Sequence, residues 1–310
     1  MQVDIIRDIV RALEQKRHIV LESGTGTGKT IVSLAATLEF IKRPENAGMK
    51  VIYITRTNSQ SDQVMKELKA ISRLHPVSGI TLSGRNRSCI NFVSRPDFNT
   101  LSPSTLSLLC TDAKQKANQG KPGACRYFKT AEALNQDISR WAMQNFPTSE
   151  QFDIHCQNQG VCPYEARKMI MRDFDVIVAP YVHILDPGIR DGLLNNLGIE
   201  ESEMILVVDE AHNLTDHTRE MESFTIHVRL ISSALDEVQN FREKQLAEGL
   251  TISAFIKKLK DIVDKFANDY IPFGAKEHLL GSKELEEVLC SALGTDRGSL
   301  DEILEKLDEI

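Results

Sequence analysis

The chain has 310 residues, of which 41% are hydrophobic and 26% charged, proportions that are ordinary for a globular protein of about two domains. No basic start is followed by an apolar run, and no apolar stretch approaches eighteen residues, which argues against a signal peptide or a membrane span. We therefore expect an intracellular protein, cytoplasmic in a prokaryote and nuclear in a eukaryote. In a reducing compartment the six cysteines are not expected to form structural disulfides, so metal binding or plain burial remains.

The net charge of −7 is distributed unevenly along the chain. Residues 283–310 contain nine acidic and three basic residues, whereas residues 85–172 contain twelve basic and seven acidic residues. A local basic surface, and not the total charge, attracts nucleic-acid backbones. Charge alone leaves two alternatives for the basic segment, namely nucleic-acid binding and an ordinary solvated face.

The predicted elements alternate between helix and strand. Apolar residues recur at helical spacing from Ile5 to Leu13, and the short apolar run His18–Leu21 then predicts a strand that ends in a glycine-rich loop. The next predictions are a helix over 30–41, a strand over 50–55, a helix over 59–74, a strand over 175–179, a helix over 181–196 and a strand over 204–208. This alternation predicts an α/β fold with a doubly wound parallel sheet.

The alternation fails between Ser83 and Arg172, where prolines, glycines and scattered cysteines interrupt the apolar pattern. A long stretch of weak periodicity inside a compact domain indicates a functional insertion. Within it, Cys89 lies among arginines in GRNRSCINF, after Arg85 and Arg87. Residues 213–310 return to helical spacing and predict a mostly helical segment.

The sequence SGTGTGKT, Ser23 to Thr30, lies between the predicted strand and the next helix, where a phosphate-binding loop belongs. Glycines let backbone N–H groups curl around phosphate oxygens, Lys29 supplies a positive charge, and Thr30 can hold Mg²⁺. The alternative is a glycine-rich turn that precedes Lys-Thr by chance, which the flanking strand and helix disfavour. The predicted nucleotide-binding residues of the loop are Gly24, Thr25, Gly26, Thr27, Gly28, Lys29 and Thr30.

The sequence MILVVDEAH supplies acidic residues at the end of another predicted buried strand, where open parallel sheets bind ligands. Asp209 would hold Mg²⁺ directly or through water, Glu210 would polarise the attacking water, and His212 would connect the site to other motifs. An isolated Asp-Glu pair could instead be a helix start. Together with the phosphate loop, the pair predicts ATP hydrolysis, with Lys29, Asp209, Glu210 and His212 as catalytic residues.

GKT and DEAH together resemble a superfamily 2 helicase motor, and two further stretches resemble the XPD family. TRTNSQ, residues 55–60, is similar to the motif that in this family touches the backbone of the translocated strand, which implies DNA contacts at Arg56 and Ser59. VIVAPYVHILDP, residues 176–187, resembles the segment that precedes DEAH. The resemblance covers essentially the whole chain and implies a RecA-like motor domain. Gly24, where XPD proteins usually have proline, points to the related DinG helicases.

The resemblance also implies that four cysteines of the insert hold a four-iron four-sulfur cluster. The flanking residues carry the match: an arginine-rich turn before the first cysteine, then LLCTDAK, ACRYF and CPY. The implied ligands are Cys89, Cys110, Cys125 and Cys162. Cys156 is a fifth candidate, and a zinc site is the alternative to iron and sulfide. We expect the cluster to replace a core that the insert lacks, and Cys290 to be a core residue.

In the family, the cluster domain meets the junction between single strand and duplex. Phosphate contacts are therefore implied at Arg85, Arg87 and Lys114, with Lys116 and Lys121 as further candidates. Tyr127, Phe128 and Trp141 are either stacking surfaces for bases or, as aromatic residues more often are, parts of the core.

The resemblance divides the chain into motor domain 1 over 1–83 and 173–228, a cluster domain over 84–172, and part of a helical Arch domain over 229–310. Gln2 matches the adenine-reading glutamine of these helicases. The second motor domain, whose arginines stabilise the transferred phosphoryl group, is expected to lie outside this chain, so that the chain alone would hydrolyse ATP poorly.

The implied function is that of an ATP-dependent 5′–3′ DNA helicase in DNA repair, chiefly nucleotide excision repair. Its implied cofactors are a 4Fe-4S cluster and Mg²⁺, with ATP as substrate. Its implied partners are single-stranded DNA, fork junctions and repair proteins that dock on the Arch domain, and we expect a monomer without a membrane partner. The alternative is a noncatalytic DNA-binding fragment or paralogue that retains the cluster domain.

Overall fold

The computed structural model describes residues 2–24, 26–93, 103–223, 228–239, 244–271, 281 and 283–308. The chain divides into two compact units, residues 1–219 and 220–310. The first unit contains the whole stretch 84–172, so this division does not separate the insert from the sheet. In the described residues, no helix combines the length and the apolar character that crossing a bilayer requires.

The first unit is built on a parallel sheet, whose described strands are β1 (Lys50–Thr55), β2 (Gly79–Thr81), β3 (Val176–Pro180) and β4 (Met204–Val208). Their order in the sheet is β2-β3-β1-β4. Strand β1 pairs with β3 on one side and with β4 on the other, and β1 is almost entirely buried. A parallel sheet covered on both faces explains why these strands are continuous apolar runs. The predicted α/β fold with a parallel sheet is confirmed.

Alternate residues of the strands face two different cores. The helices outside the insert are α1 (Gln2–Glu14), α2 (Lys29–Ile41), α3 (Asn58–Ile71), α10 (Val182–Leu185), α11 (Pro187–Leu197) and α12 (Leu214–Glu222). Val51 and Tyr53 pack with apolar residues of α2 and α3, whereas Ile52 and Ile54 pack with residues of the insert and of α11. The side-chain period of two in a strand therefore produces one helical layer on each face.

The strand predicted at His18–Leu21 is wrong, because the structure has no strand at these residues. Val20 is 92% exposed, and Ile19 is also exposed. A short apolar run becomes a strand only where a neighbour accepts its backbone hydrogen bonds and a core covers its face. The sequence of the run specifies neither of these partners.

The insert is helical and contributes to the main core, so the expectation that it lacks a core is wrong. Its helices are α4 (Arg85–Ser88), α5 (Ile90–Val93), α6 (Pro103–Gln119), α7 (Arg126–Asn145), α8 (Ser149–Asn158) and α9 (Pro163–Ile170). Ile138, Phe152 and Ile170 are buried against Ile52 and Ile177 of the sheet. Helices α7, α8 and α9 each bury only a few apolar residues, and such a short stripe is easily missed in the sequence.

The second unit has a small core of its own, formed by Leu246, Ile252, Phe255, Leu300 and Ile303. Its elements are α13 (Val228–Gln239), β5 (Gln245–Ala247), β6 (Leu250–Thr251), α14 (Ile252–Tyr270), α15 (Glu284–Leu293) and α16 (Arg297–Asp308). Cys290 packs against this core. The mostly helical character predicted for this segment is confirmed, with the antiparallel pair β5–β6 as an addition.

Candidate functional site

The phosphate loop reaches α2 through glycines in left-handed conformations. Gly26 has φ +75° and Gly28 has φ +84°, a region that glycine adopts without the steric cost that a side chain imposes. Helix α2 begins directly afterwards at Lys29, and no side chain caps its first turn at Gly28. The first N–H groups of a helix and its dipole favour an anion at this position. Thr25, which the sequence also assigns to the loop, lies outside the described residues.

Side chains of the loop hold its shape and link it to DEAH. Ser23 Oγ donates to Thr27 Oγ1 at 2.6 Å, and Thr27 Oγ1 donates to the Gly24 carbonyl at 2.9 Å. Lys29 Nζ donates to the Ser23 carbonyl at 2.9 Å and lies 4.0 Å from Glu210 Oε1. The lysine of the loop and the acid of DEAH are therefore neighbours, although 181 positions separate them in the sequence.

Gln2 lies beside the same loop. Its Nε2 donates to the Thr27 carbonyl at 3.0 Å, and a Cβ placed on Gly28 would lie only 2.9 Å from that nitrogen. The structure therefore places Gln2 at the phosphate loop, and its adenine-reading role stays a prediction.

Asp209 and Glu210 follow β4 directly, at the carboxyl edge of the sheet. The Asp209 N–H donates to the Ile54 carbonyl of β1 at 3.0 Å. Glu210 has φ +50°, a left-handed conformation that is uncommon for a residue with a side chain. The Tyr181 hydroxyl donates to the carbonyls of both Asp209 and Glu210, which holds this bend. Burial and then the Glu210 carboxylate raise the pKa of Asp209, and the Lys29 ammonium opposes the rise.

Thr30 and Asp209, the predicted Mg²⁺ ligands, both act on the hydroxyl of Tyr53. Ser33 Oγ lies 3.4 Å from this hydroxyl, the Asp209 charge raises its pKa, and the Thr30 side chain lowers it. Burial is the main cause that raises the pKa of Tyr53 to about 12. Hydroxyl and carboxylate oxygens are the ligands that Mg²⁺ prefers, so these residues fit the ion in kind.

Sequence reasoning missed Tyr53, Tyr181 and Asn213 as parts of this site. Tyr53 lies in the predicted strand KVIYIT, and Tyr181 lies in the segment already noted for its family resemblance. Asn213 directly follows DEAH and hydrogen-bonds both Arg56 and Glu210. For Asn213 the available signal was its position immediately after DEAH. For Tyr53, which lies in the strand KVIYIT, the sequence gave no signal.

Three of the predicted DNA contacts are exposed around the start of α3. Thr57 and Gln60 form a capping box there, and the Arg56 N–H also donates to Gln60 Oε1 at 3.1 Å. Ser59 is exposed on the first turn. The third, Arg87 of the insert, donates from NH1 to Asn58 Oδ1 at 3.2 Å. These residues form one exposed surface next to DEAH.

The other two predicted DNA contacts are engaged inside the insert. The Arg85 guanidinium lies 4.6 Å from the centre of the Tyr164 ring, and Lys114 Nζ lies 2.9 Å from Oε1 of the buried Glu165. Both partners belong to the CPYEAR stretch that starts at Cys162. Arg85 and Lys114 therefore contact residues that follow Cys162 in the chain, and both charges also act to lower the pKa of Cys110.

The predicted stacking residue Trp141 already has a partner. Its ring lies 3.6 Å from that of His155, nearly parallel, and also contacts Phe152. The Lys114 and Lys129 ammonium groups lie over Phe128, and the Tyr127 hydroxyl accepts a hydrogen bond from Arg126. These aromatic side chains contribute to the packing of the insert.

The four predicted cluster ligands lie in one neighbourhood. Cys125 and Cys162 directly precede α7 and α9, and backbone hydrogen bonds fix their N–H groups to Ala113 and Tyr127. Burial is the main cause that raises the pKa of Cys110 and of Cys162; the Cys125 charge adds to the rise at Cys110, and the Cys89 and Cys125 charges add to it at Cys162. The charges that act on Cys156 are instead those of Arg167 and Asp153. The choice of Cys162 over Cys156 as the fourth ligand stays a prediction.

The donor set fits an iron–sulfur cluster in kind. Thiolates are the usual ligands, and a helix N-terminus stabilises a thiolate. Burial raises the pKa of Cys162 to about 12, so only a bound cation would keep it deprotonated at neutral pH. Within the described ranges, however, no three His, Cys, Asp or Glu side chains are arranged closely enough to hold a metal ion. Ligation would require the thiols to move together.

Comparison with known proteins places the chain among helicases. The sequence model of the DEAD_2 family matches residues 53–231. Over 293 residues the chain is 25% identical to "Regulator of telomere elongation helicase 1 homolog" of Anopheles gambiae, covering 80% of this chain and 28% of that protein. Over 243 residues it is 26% identical to "General transcription and DNA repair factor IIH helicase subunit XPD" of Arabidopsis thaliana, covering 74% and 31%.

A third relative, "Fanconi anemia group J protein homolog" of Gallus gallus, is 29% identical over 209 residues, covering 63% of this chain and 15% of that protein. The chain thus spans less than a third of the length of these curated relatives. Among solved structures, "XPD_Helicase" matches with a TM-score of 0.54 and 18% identity, covering 99% of this chain and 50% of that chain. "Truncated XPD" matches with a TM-score of 0.51 and 17% identity, covering 97% and 80%. At these identities the likeness establishes the fold.

Proposed function

The chain belongs to the DEAD_2 family and is an XPD-like superfamily 2 helicase sequence, and from this we propose that it forms the nucleotide-binding part of an ATP-dependent 5′–3′ DNA helicase. The observation that carries the proposal is the 4.0 Å separation of Lys29 Nζ and Glu210 Oε1, which joins the phosphate loop to DEAH. Lys29 would neutralise phosphate charge, Thr30 and Asp209 would hold Mg²⁺, and Glu210 would orient the attacking water. His212 would connect Glu210 to the other motifs.

We further propose that the helicase acts in DNA repair, including nucleotide excision repair. One matched relative is described as a DNA repair factor subunit, and the others as a telomere elongation regulator and a Fanconi anemia group protein. Arg56, Ser59 and Arg87 would contact single-stranded DNA, because they are exposed on one surface beside DEAH. Residues 84–172 would act as the cluster domain and residues 229–310 as part of an Arch domain. We also propose a nuclear location and repair-protein partners, which the eukaryotic sources and the descriptions of these relatives support.

Binding of an ATP analogue tests the nucleotide site. With Mg²⁺ present, the 310-residue protein should bind a fluorescent non-hydrolysable ATP analogue, and Lys29→Ala should weaken binding about tenfold or more, because a charged phosphate contact is lost. Lys69→Ala is the matched control, since Lys69 is an exposed lysine of α3. Equal affinity of the Lys29 and Lys69 variants would contradict the site.

Metal analysis tests the cluster. The four proposed thiolates would supply the ligands, and the cluster when bound would hold the insert together at its cysteines. Anaerobically purified protein should contain about four irons per chain and absorb as an iron–sulfur protein. Cys89→Ser and Cys162→Ser should lose the iron, whereas Cys156→Ser should keep it, because the charges that act on Cys156 are those of Arg167 and Asp153 and not those of other cysteines. Stoichiometric zinc in place of iron would contradict the proposal.

A further inference from the structure

Asn213 is the residue that directly follows DEAH, and its side-chain amide touches three groups. Its Oδ1 accepts a hydrogen bond from Arg56 NH1 at 2.8 Å. Its Nδ2 donates to the Glu210 carbonyl at 3.1 Å and lies 3.1 Å from His212 Nε2. One amide therefore connects the exposed arginine of TRTNSQ with two residues of DEAH.

Donor and acceptor chemistry fixes how this amide and the imidazole are oriented. A guanidinium only donates, so the amide oxygen must face Arg56 and the NH₂ group must face Glu210 and His212. Since Nδ2 has only hydrogens to offer, His212 Nε2 must accept, and the proton of the neutral ring must be on Nδ1. His212 Nδ1 lies 3.3 Å from Glu210 Oε2, so this tautomer directs its N–H towards the carboxylate.

The Glu210 carboxylate is thereby held from two sides. Lys29 Nζ is close to Oε1, and His212 Nδ1 is close to Oε2. The left-handed backbone of Glu210 is bonded through its carbonyl to both Tyr181 and Asn213. At the other end of the network Arg56 is exposed, and its guanidinium has further N–H groups that a phosphate can bind.

We propose that Asn213 is a positioning residue that keeps His212 in the Nδ1–H tautomer against Glu210 and ties this pair to Arg56. A DNA phosphate bound at Arg56 would then be sensed at the carboxylate that orients the attacking water. The inference rests on the proposed function, because that function gives Glu210 and Arg56 their roles. None of the chemistry passes through Asn213 itself, which acts only through the groups it orients.

Nitrogen NMR of the histidine rings tests the tautomer without any ligand. At about pH 8.5, where imidazoles are neutral, His212 in the wild-type chain should be in the Nδ1–H form. Among the signals of the eight histidines, those of His212 are the ones that disappear in the His212→Gln variant. Asn213→Asp keeps an acceptor for Arg56 but places an acceptor instead of a donor at Nε2, so a proton should appear on His212 Nε2. Asn213→Ala should release the ring towards the Nε2–H form that free histidine prefers.

An Nε2–H ring in the wild-type chain would overturn the proposal, and so would an unchanged tautomer in both Asn213 variants. Fluorescence of the single tryptophan, Trp141, reports whether each variant folds. A merely structural role for Asn213 would alter stability without switching the tautomer.

Oligothymidylate tests the link to Arg56. Saturating oligonucleotide should shift the His212 nitrogen signals of the wild-type chain, and Asn213→Ala should still bind the oligonucleotide while its His212 signals stay in place. Binding to the wild-type chain without a shift would overturn the link. If the oligonucleotide did not bind at all, the proposed DNA function and the link would both fail, whereas the ligand-free tautomer result would stand on its own.

Discussion

The nucleotide end of the sheet and the cysteine-bearing insert are held in shape by different kinds of interaction. At the nucleotide end the shape is held mainly by the backbone. Gly28 and Glu210 adopt left-handed conformations, and the Asp209 N–H donates a hydrogen bond to the Ile54 carbonyl of β1. In the insert one buried side chain, Arg167, bonds four other residues. The nucleotide end should therefore be sensitive to changes of backbone freedom, and the insert to the loss of a single charge.

Arg167 joins the insert to the sheet. Its Nε donates to the Thr81 carbonyl at 2.9 Å, NH1 donates to Asp153 at 2.6 Å and to Ser88 Oγ at 3.2 Å, and NH2 donates to the Ser149 carbonyl at 2.9 Å. The guanidinium also lies over the Phe152 ring, and the residue is 1% exposed. Ser88 directly precedes Cys89, so this network also positions the first proposed cluster ligand.

The largest expected effect is that of Arg167→Met. Removing the guanidinium leaves the Asp153 carboxylate and several polar groups without their partner in the interior, which costs about 3–5 kcal/mol. Urea unfolding followed by the fluorescence of Trp141, the single tryptophan, measures this change in the first unit.

Arg140→Met is the matched control for that measurement. Arg140 pairs with Asp137 at 3.5 Å on the surface, with both side chains about two-thirds exposed, so its loss should cost no more than about 1 kcal/mol. Equal losses in the two variants would show that the insert does not depend on its buried arginine, and the contrast with the nucleotide end would disappear.

The same contrast decides what could be predicted from the sequence. The strands over 50–55 and 204–208 and the helix that starts at the phosphate loop follow from local apolar runs and from glycines. The carboxyl edge of a parallel sheet then brings GKT and DEAH together as a general rule. Arg167 gave no such signal, because its partners Thr81 and Ser88 lie far from it in the chain.

The failed strand at His18–Leu21 and the missed core of the insert have a related cause. Pairing and burial depend on which surfaces tertiary structure brings together, and a short apolar run does not contain that information. Phe152 and Cys156 illustrate this, because both are fully buried in a segment whose composition is mostly polar.

Gly28→Ala tests the backbone side of the comparison and should have an intermediate effect. A side chain at φ +84° costs about 1–2 kcal/mol, and the new Cβ would lie 2.9 Å from Gln2 Nε2 and 3.2 Å from Ile31 Cγ2. The variant should be less stable to urea and should bind the ATP analogue more weakly. Gly192→Ala is the control, since Gly192 lies in α11, no atom lies within 4 Å of its Cβ position and its φ is not positive. A Gly192 variant as damaged as the Gly28 variant would refute the backbone explanation.

The smallest change in stability is expected for Asp209→Asn, and it should be an increase instead of a loss. Because burial and Glu210 raise the pKa of Asp209, the folded state binds this proton more tightly than the unfolded state does. The carboxylate therefore costs stability at neutral pH, and this cost fades as the pH falls towards the ordinary value of 3.8. The variant should be slightly more stable than wild type at pH 7, with a difference that narrows on acidification, while Mg²⁺-dependent binding of the ATP analogue is lost. Asp137→Asn, at an exposed site, should change neither property, and a destabilised Asp209→Asn would show that the carboxylate serves the fold instead of the site.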